Sequence, residues 1–384
     1  MITALTRASR ARASRGGTAL DMVTERKVRY TIYNVAAPAF SSSEPTLARI
    51  VAERSIVVVV DDVVWQYYRD EIERYFSEHA DVLATLVISG SEADKDWQAV
   101  EGICRSAIAH GLDRNGMLVA IGGGVVLDVA GVAASLYRRG IRYVRVATTL
   151  IAAVDVAVGI KQAFNYAGKK SALGAFYPPV AAVVDRRFLR TLPRRAISCG
   201  IAEIAKVAIV RDAVLFELLE SSGPTVLESR FQSPRDAADE IIVRAQCAMM
   251  DDLEPNLYED HLCRLVDFGH TFSPMIEAAS GYSTPHGEAV AIDMLLAIAI
   301  AVGRQICDPS LFDRVASLYR DVSLPFGHPL VSVDLLSRAL ADTRRHRGNN
   351  DNFVVPVAIG SATFIQDIGT DELGAAIAYV NDRL

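Results

Sequence analysis

The chain lacks paired cysteines, a basic excess and any long uninterrupted apolar run, and each lack removes a class of protein. Its five cysteines, Cys104, Cys199, Cys247, Cys263 and Cys307, are scattered and never form CxxC. That excludes a disulfide framework and a thiolate zinc site, and fits a reducing, cytoplasmic setting. The formal net charge is −6, without the concentrated basic face that nucleic acid demands. The apolar runs are short and interrupted, so no segment reads as a transmembrane helix and no membrane partner is expected. The Gly122-Gly123-Gly124 run is neither GxGxxG nor followed by the GK[ST] of a P-loop, so the two commonest nucleotide fingerprints are missing.

What is present is 384 residues, about half of them apolar, enough for two domains with substantial cores. Residues 1–25 carry Arg7, Arg10, Arg12 and Arg15 with no acid before Asp21. Without a long apolar stretch this is no secretion signal, and it reads as a disordered tail, with Met22 a candidate true start. From 26 to 190, β-branched runs such as Ser55–Asp62, Val82–Ser89, Met117–Ile121, Tyr143–Ala147 and Ala181–Asp185 alternate with helical patterns. Continuously apolar strands separated by helices predict a parallel sheet covered on both faces, an α/β domain. From 191 to 384 helical patterns dominate, including Leu262–Ser280 and Gly287–Val302, and an all-helical domain is expected, with a strand signal only at Phe353–Val357.

Four groups of residues carry chemistry. Gly122-Gly123-Gly124 lies between a strand and a helix, with Asp128 one turn in; glycines admit close backbone approach, and a helix N-terminus favours phosphate. Asp61 and Asp62 end an earlier strand, where ribose hydroxyls are commonly held. Thr148, Thr149, Asp155, Lys161, Asn165, Lys169 and Lys170 put charge into a largely apolar stretch, which suits a polyoxygenated anionic ligand. Glu203 and Lys206 share a helix face, and His270 and His286 follow downstream; one carboxylate, two imidazoles and an open position suit a catalytic divalent ion. The run Arg344-Arg345-His346-Arg347 offers guanidinium groups for phosphate.

The segments GGGVVLDVAG (122–131), ATTLIAAVDVAVGIK (147–161), LGAFYPP (173–179), TLPRRAISCGIAEIAK (191–206), DFGHTFSP (267–274) and HGEAV (286–290) together resemble the sugar-phosphate cyclase superfamily, typified by 3-dehydroquinate synthase. The resemblance implies a Rossmann-like NAD-binding domain followed by a helical metal domain, in a homodimer. It implies zinc, or cobalt, at Glu203, His270 and His286, and NAD contacts from Asp61, Glu92, Lys95, Gly123, Gly124, Asp128, Thr148 and Thr149. It places Asp155, Lys161 and Lys206 in catalysis and Asn165, Lys170 and Arg345 on the sugar phosphate.

Departures from dehydroquinate synthase, which typically reads NLGHTFGH, are Asp267 for its Asn and Pro274 for its second His. An acid at that place repels a carboxylate substrate and favours a neutral polyol chain. Leu253, Asp267 and His346 fall where the 2-epi-5-epi-valiolone synthases carry Leu, Asp and His, and where desmethyl-4-deoxygadusol synthases carry Glu, Ala and Thr. The resemblance therefore implies cyclisation of sedoheptulose 7-phosphate by transient oxidation, phosphate elimination, re-reduction and aldol closure, with Asp267 and His346 orienting the chain. Ser171 stands where the cyclases commonly have Asn, and Gln162 where they have Thr; both are expected to border the substrate, which leaves a 2-epi-valiolone product or another cyclase of the superfamily open. A metal-dependent alcohol or glycerol dehydrogenase, of the same architecture, is the alternative of another class.

Overall fold

The computed structural model describes residues 10–14, 17–22, 24, 27–346 and 352–383, the side chains of 10–14, 17–21 and His346 excepted. Within the segment expected as a tail, β1 (Arg10–Ser14) and β2 (Gly17–Asp21) pair antiparallel. The α/β half then runs β3 (Thr31–Asn34), α1 (Thr46–Val51), β4 (Ser55–Asp61), α2 (Asp62–His79), β5 (Asp81–Ile88), α3 (Trp97–Ala109), β6 (Met117–Gly122), α4 (Gly124–Leu136), β7 (Arg142–Ala147), β8 (Lys161–Tyr166), β9 (Lys169–Phe176) and β10 (Ala181–Val184).

Six of these strands form one parallel sheet in the order β3-β10-β7-β6-β4-β5. Alternation along β4 and β6 sorts the core into two layers. Val57, Val59, Leu118 and Ala120 face the α3 and α4 side, while Ile56, Val58, Val60, Val119 and Ile121 face α1 and α2. Both faces are therefore apolar, as a sheet buried between helices requires. The chain leaves β4 toward β5 and returns on its other side to β6. The carboxyl ends of β4 and β6 thus flank the reversal point, where open α/β sheets bind ligands.

The second half comprises α5 (Arg194–Arg211), α6 (Ala213–Glu228), α7 (Arg235–Leu253), α8 (Ser273–Ala279), α9 (His286–Gly303), α10 (Pro309–Asp321), α11 (Val333–His346), β11 (Phe353–Ala358), β12 (Ser361–Ile365) and α12 (Thr370–Asn381). It is helical except for the antiparallel pair β11–β12. Among the described residues, α9 is the one helix long and apolar enough to cross a membrane, and most of it is buried inside the protein. The polar stretch after β7 leads into an antiparallel hairpin, β8–β9. One expectation needs correction. The helix expected over Leu262–Ser280 is confined to Ser273–Ala279, because Gly269 adopts φ +73° and breaks the pattern immediately before His270.

Candidate active site and metal centre

Close helix packing builds the metal centre. The α5 segment Ile197–Val210 is buried throughout, and Gly287, at the start of α9, lies directly against it. A Cβ at Gly287 would stand 2.3 Å from the Cys199 carbonyl oxygen, so only glycine lets the α9 N-terminus come this near. Gly200 does the same for the sheet side, where a Cβ would meet Leu150 Cβ at 2.5 Å. These two contacts bring His286 from α9, Glu203 from α5 and the 148–155 segment to one place.

His270 comes from the loop before α8. Asp293, fully buried on α9, accepts the N–H groups of Thr271 (2.8 Å), Phe272 (2.5 Å) and Ser273 (2.8 Å). That carboxylate pins the turn that carries His270. The ligand atoms of Glu203, His270 and His286 all lie within 4.8 Å of one another. His286 Nε2 is 3.2 Å and His270 Nε2 3.8 Å from Glu203 Oε1. Each imidazole is oriented through its other nitrogen: His286 Nδ1 lies 2.9 Å from Glu277 Oε1 and His270 Nδ1 3.1 Å from the Phe268 carbonyl. This is how a protein commonly fixes metal-binding histidines.

The electrostatics also fit a cation. Glu203 is 1 % exposed, and neither of its oxygens receives a well-directed hydrogen bond. Burial and the Lys206 charge push His270 down to about 3, so it is a neutral ligand. Burial also opposes charge on His286, but Glu277 and Glu203 outweigh it and raise that group to about 9. The cluster therefore favours positive charge between Glu203 and His286. An ion that displaces the His286 proton would meet a buried carboxylate and two imidazole nitrogens, a donor set suited to zinc or cobalt.

Beside the triad, Lys206 Nζ sits 2.7 Å from Glu203 Oε2 and 3.8 Å from Asp155 Oδ2. Desolvation opposes the Lys206 charge, but Glu203 and Asp155 hold its pKa above the ordinary value. Burial raises the pKa of Asp155 despite Lys206. Asp155 lies in a π-helical turn, Ala152–Val156, a feature frequent at functional sites. Leu253 closes the same region, packed beside Gly159. Asp267 is paired with Arg264 and adds its field to Lys206. Lys161 reaches Glu259 at 2.8 Å with its side chain 54 % exposed, at the rim.

On the hairpin, Lys170 is paired with Glu277. Asn165 donates to the Glu92 carbonyl (3.1 Å) and Glu92 Oε1 (3.0 Å), and its Oδ1 accepts Ser171 N–H at 2.8 Å. It ties the hairpin to the loop after β5 and so positions its neighbours. Arg345 is not brought to the cluster. Its side chain is 75 % exposed and bonded along its own helix, to Ala341 O at 3.3 Å, with Asp342 at 3.7 Å. The His346 side chain lies outside the described residues. Gln162 corrects an expectation. It is buried, accepts from Tyr143 Oη at 2.7 Å and fills the space over Gly131, so it faces the core and not the substrate. Ser171 is exposed at φ +49°.

The residues expected to contact NAD lie toward the sheet's reversal point. Asp61 Oδ1 caps α2 by accepting Val63 N–H (2.9 Å) and Val64 N–H (3.2 Å). Gly123 immediately precedes α4, whose first N–H groups have no side-chain cap and point where a pyrophosphate is favoured. Gly124 opens that helix, and buried Thr148 bonds through its N–H to Gly122 O at 3.0 Å. Thr149 Oγ1 accepts Ala152 N–H at 3.2 Å. Lys95 is 6 % exposed, with Nζ 2.6 Å from Asp128 Oδ2, and Glu92 starts the short turn leading to it. These residues fit NAD.

Residues 85–199 match the family model described as 3-dehydroquinate synthase N-terminal, and residues 200–345 match 3-dehydroquinate synthase C-terminal. A 2-epi-5-epi-valiolone synthase from an Actinoplanes species is 42% identical over 332 residues, 85% of this chain and 83% of that protein. The chain belongs to the dehydroquinate synthase-like family of sugar-phosphate cyclases. Within that family, the solved 2-epi-5-epi-valiolone synthase of Streptomyces hygroscopicus subsp. jinggangensis 5008, with NAD+ and Zn2+ bound, superposes with a TM-score of 0.89 at 37% identity, covering 95% of this chain and all of that one. A 2-deoxy-scyllo-inosose synthase solved with carbaglucose-6-phosphate, NAD+ and Co2+ gives a TM-score of 0.76 at 25% identity, covering 91% of this chain and 95% of the other.

Four residues that pair with this cluster, Glu277, Asp293, Glu259 and Arg264, were not expected from the sequence. Asp293 had a signal, an acid seven residues beyond His286 in an otherwise apolar helix, which needs a partner if buried. Glu277, Glu259 and Arg264 had none, since their partners come from other elements or from the loop fold.

Proposed function

We propose that this chain converts sedoheptulose 7-phosphate to 2-epi-5-epi-valiolone with release of phosphate. The observation that carries the reading is the convergence of Glu203, His270 and His286 beside Lys206 and Asp155. Curated 2-epi-5-epi-valiolone synthases at 37–42% identity support the substrate. Glu203, His270 and His286 would hold a divalent ion supplying Lewis acidity, and the nucleotide end of the sheet would hold NAD supplying reversible hydride acceptance. The overall change is loss of phosphoric acid with ring closure and no net redox.

The chain's own residues hold and orient. Lys206, fixed between Glu203 and Asp155, presents a buried ammonium to an anionic oxygen, and Lys161 and Lys170 add charge from the hairpin side. Asp155, its carboxyl pKa raised by burial, is placed to accept or return a proton near Lys206. Asp267, held by Arg264, gives the pocket an acid where a substrate carboxylate would be repelled. One small molecule is carried through several steps, so placement contributes more than any single strong acid. Arg345, on the last turn of α11, is exposed and stands apart from this cluster. Residues 26–190 serve as the nucleotide unit and 191–384 as the metal unit. The working form is read as a homodimer in the cytoplasm, and sedimentation tests the assembly.

The test is incubation of the full chain with sedoheptulose 7-phosphate, NAD and Zn2+ or Co2+, following phosphate release, absorbance of reduced cofactor and product NMR. Phosphate release with 2-epi-5-epi-valiolone and no net reduced cofactor is expected. A different ring epimer would redirect the assignment to 2-epi-valiolone; accumulation of reduced cofactor without phosphate would replace it with a dehydrogenase.

A further inference from the structure

Glu277 touches two groups that belong to different parts of the site. Its Oε1 lies 2.9 Å from His286 Nδ1, and its Oε2 pairs with Lys170 Nζ. The three residues come from α8, the start of α9 and strand β9 of the hairpin. The Glu277 side chain is 4 % exposed and that of Lys170 20 %, so both charges lie where solvent screens them weakly. Lys170 does not itself approach Glu203, whose close cationic neighbour is Lys206.

A carboxylate on the far nitrogen of a metal-binding imidazole orients the ring and makes it a stronger donor. Here that carboxylate is shared, and every increment of charge that Lys170 neutralises is withheld from His286. We propose that Glu277 is a positioning residue that couples the hairpin to the metal centre, with Lys170 setting how much negative charge His286 receives. A substrate oxygen that draws Lys170 away leaves Glu277 wholly to His286 and tightens the ion. By reciprocity, the bound ion makes Lys170 easier to draw off. Hairpin and metal centre then favour occupation together, although no side chain touches both ligands.

The inference rests on the reading of Glu203, His270 and His286 as the metal site, and the test separates the two. Co2+ affinity of the full-length protein is measured by chelator competition, with the visible cobalt spectrum as the signature of the site, for wild type, Glu277→Gln, Lys170→Met and the double variant. Glu277→Gln is expected to weaken Co2+ about ten- to a hundredfold. Lys170→Met is expected to tighten it about fivefold or more, and to do nothing once Gln occupies position 277. A purely structural role for Lys170 would weaken binding or leave it unchanged, and either result in the single variant overturns the coupling. Unchanged affinity in Glu277→Gln, with its native circular dichroism, also overturns it. Wild type that binds no Co2+, or a His270→Ala variant that keeps the cobalt spectrum, sinks the metal site and the coupling with it.

Discussion

The nucleotide end of the sheet and the metal centre both hold a buried lysine against a carboxylate, but the two pairs are built differently. Lys95 and Asp128 sit on adjacent α/β connections and face each other at 2.6 Å. Lys206 shares its charge between Glu203 and Asp155, while Glu203 also faces two imidazoles. The first arrangement neutralises itself and leaves helix N–H groups to attract an anion. The second is left short of positive charge, and so has a place for a divalent ion. Balance leaves the nucleotide end to bind through its helix N–H groups; deficit suits a divalent ion.

Removing a ligand from the second pole breaks the comparison most severely. His270→Ala should lose the ion and lower phosphate release by about a thousandfold or more, several kcal/mol of transition-state stabilisation. Metal content by emission spectroscopy, read beside the phosphate assay, checks it, and ion retained at full stoichiometry would falsify the ligand assignment. Asp293→Ala should be next. It strands three backbone N–H groups beside His270, at about 1–3 kcal/mol or more of unfolding free energy, visible in urea titration. Asp293→Asn, which keeps one acceptor oxygen, should recover part of that loss.

At the nucleotide pole, Lys95→Met should raise the Kd for NAD about tenfold, about 1.4 kcal/mol, while bound metal stays unchanged. Calorimetry with NAD, together with metal analysis, separates the poles; loss of both ligands at once would show that they are not independent. The smallest effect is expected at Gln162→Thr. Loss of the Tyr143 hydrogen bond should cost about 1 kcal/mol of stability with KM for sedoheptulose 7-phosphate unchanged. A large shift in KM or in product epimer would return Gln162 to the substrate site.

Legibility followed locality. The sheet strands and the Gly122–Asp128 turn were readable because each is encoded by adjacent residues. The proposed metal ligands were readable only as candidates, because residues 203, 270 and 286 become neighbours through α5 packing on α9. The misreading of Leu262–Ser280 as a helix came from weighing apolar spacing above Gly269. The misplacement of Gln162 came from carrying over the place of a Thr common in the cyclases, when strand alternation places Lys161 outward and Gln162 inward. Arg345 shows the converse, a basic side chain that faces solvent.

The amino-acid order alone settled the two-part architecture, the parallel sheet, the glycine turn at the nucleotide end and the set of groups from which the ligands are drawn. These depend on periodicity and on residue types within a few positions of each other. Only the folded chain decided that Nε2 of both histidines is aimed at Glu203, that Glu277 answers to both His286 and Lys170, and that Gln162 belongs to the interior. Those outcomes depend on distances between segments far apart in the chain, and packing sets such distances.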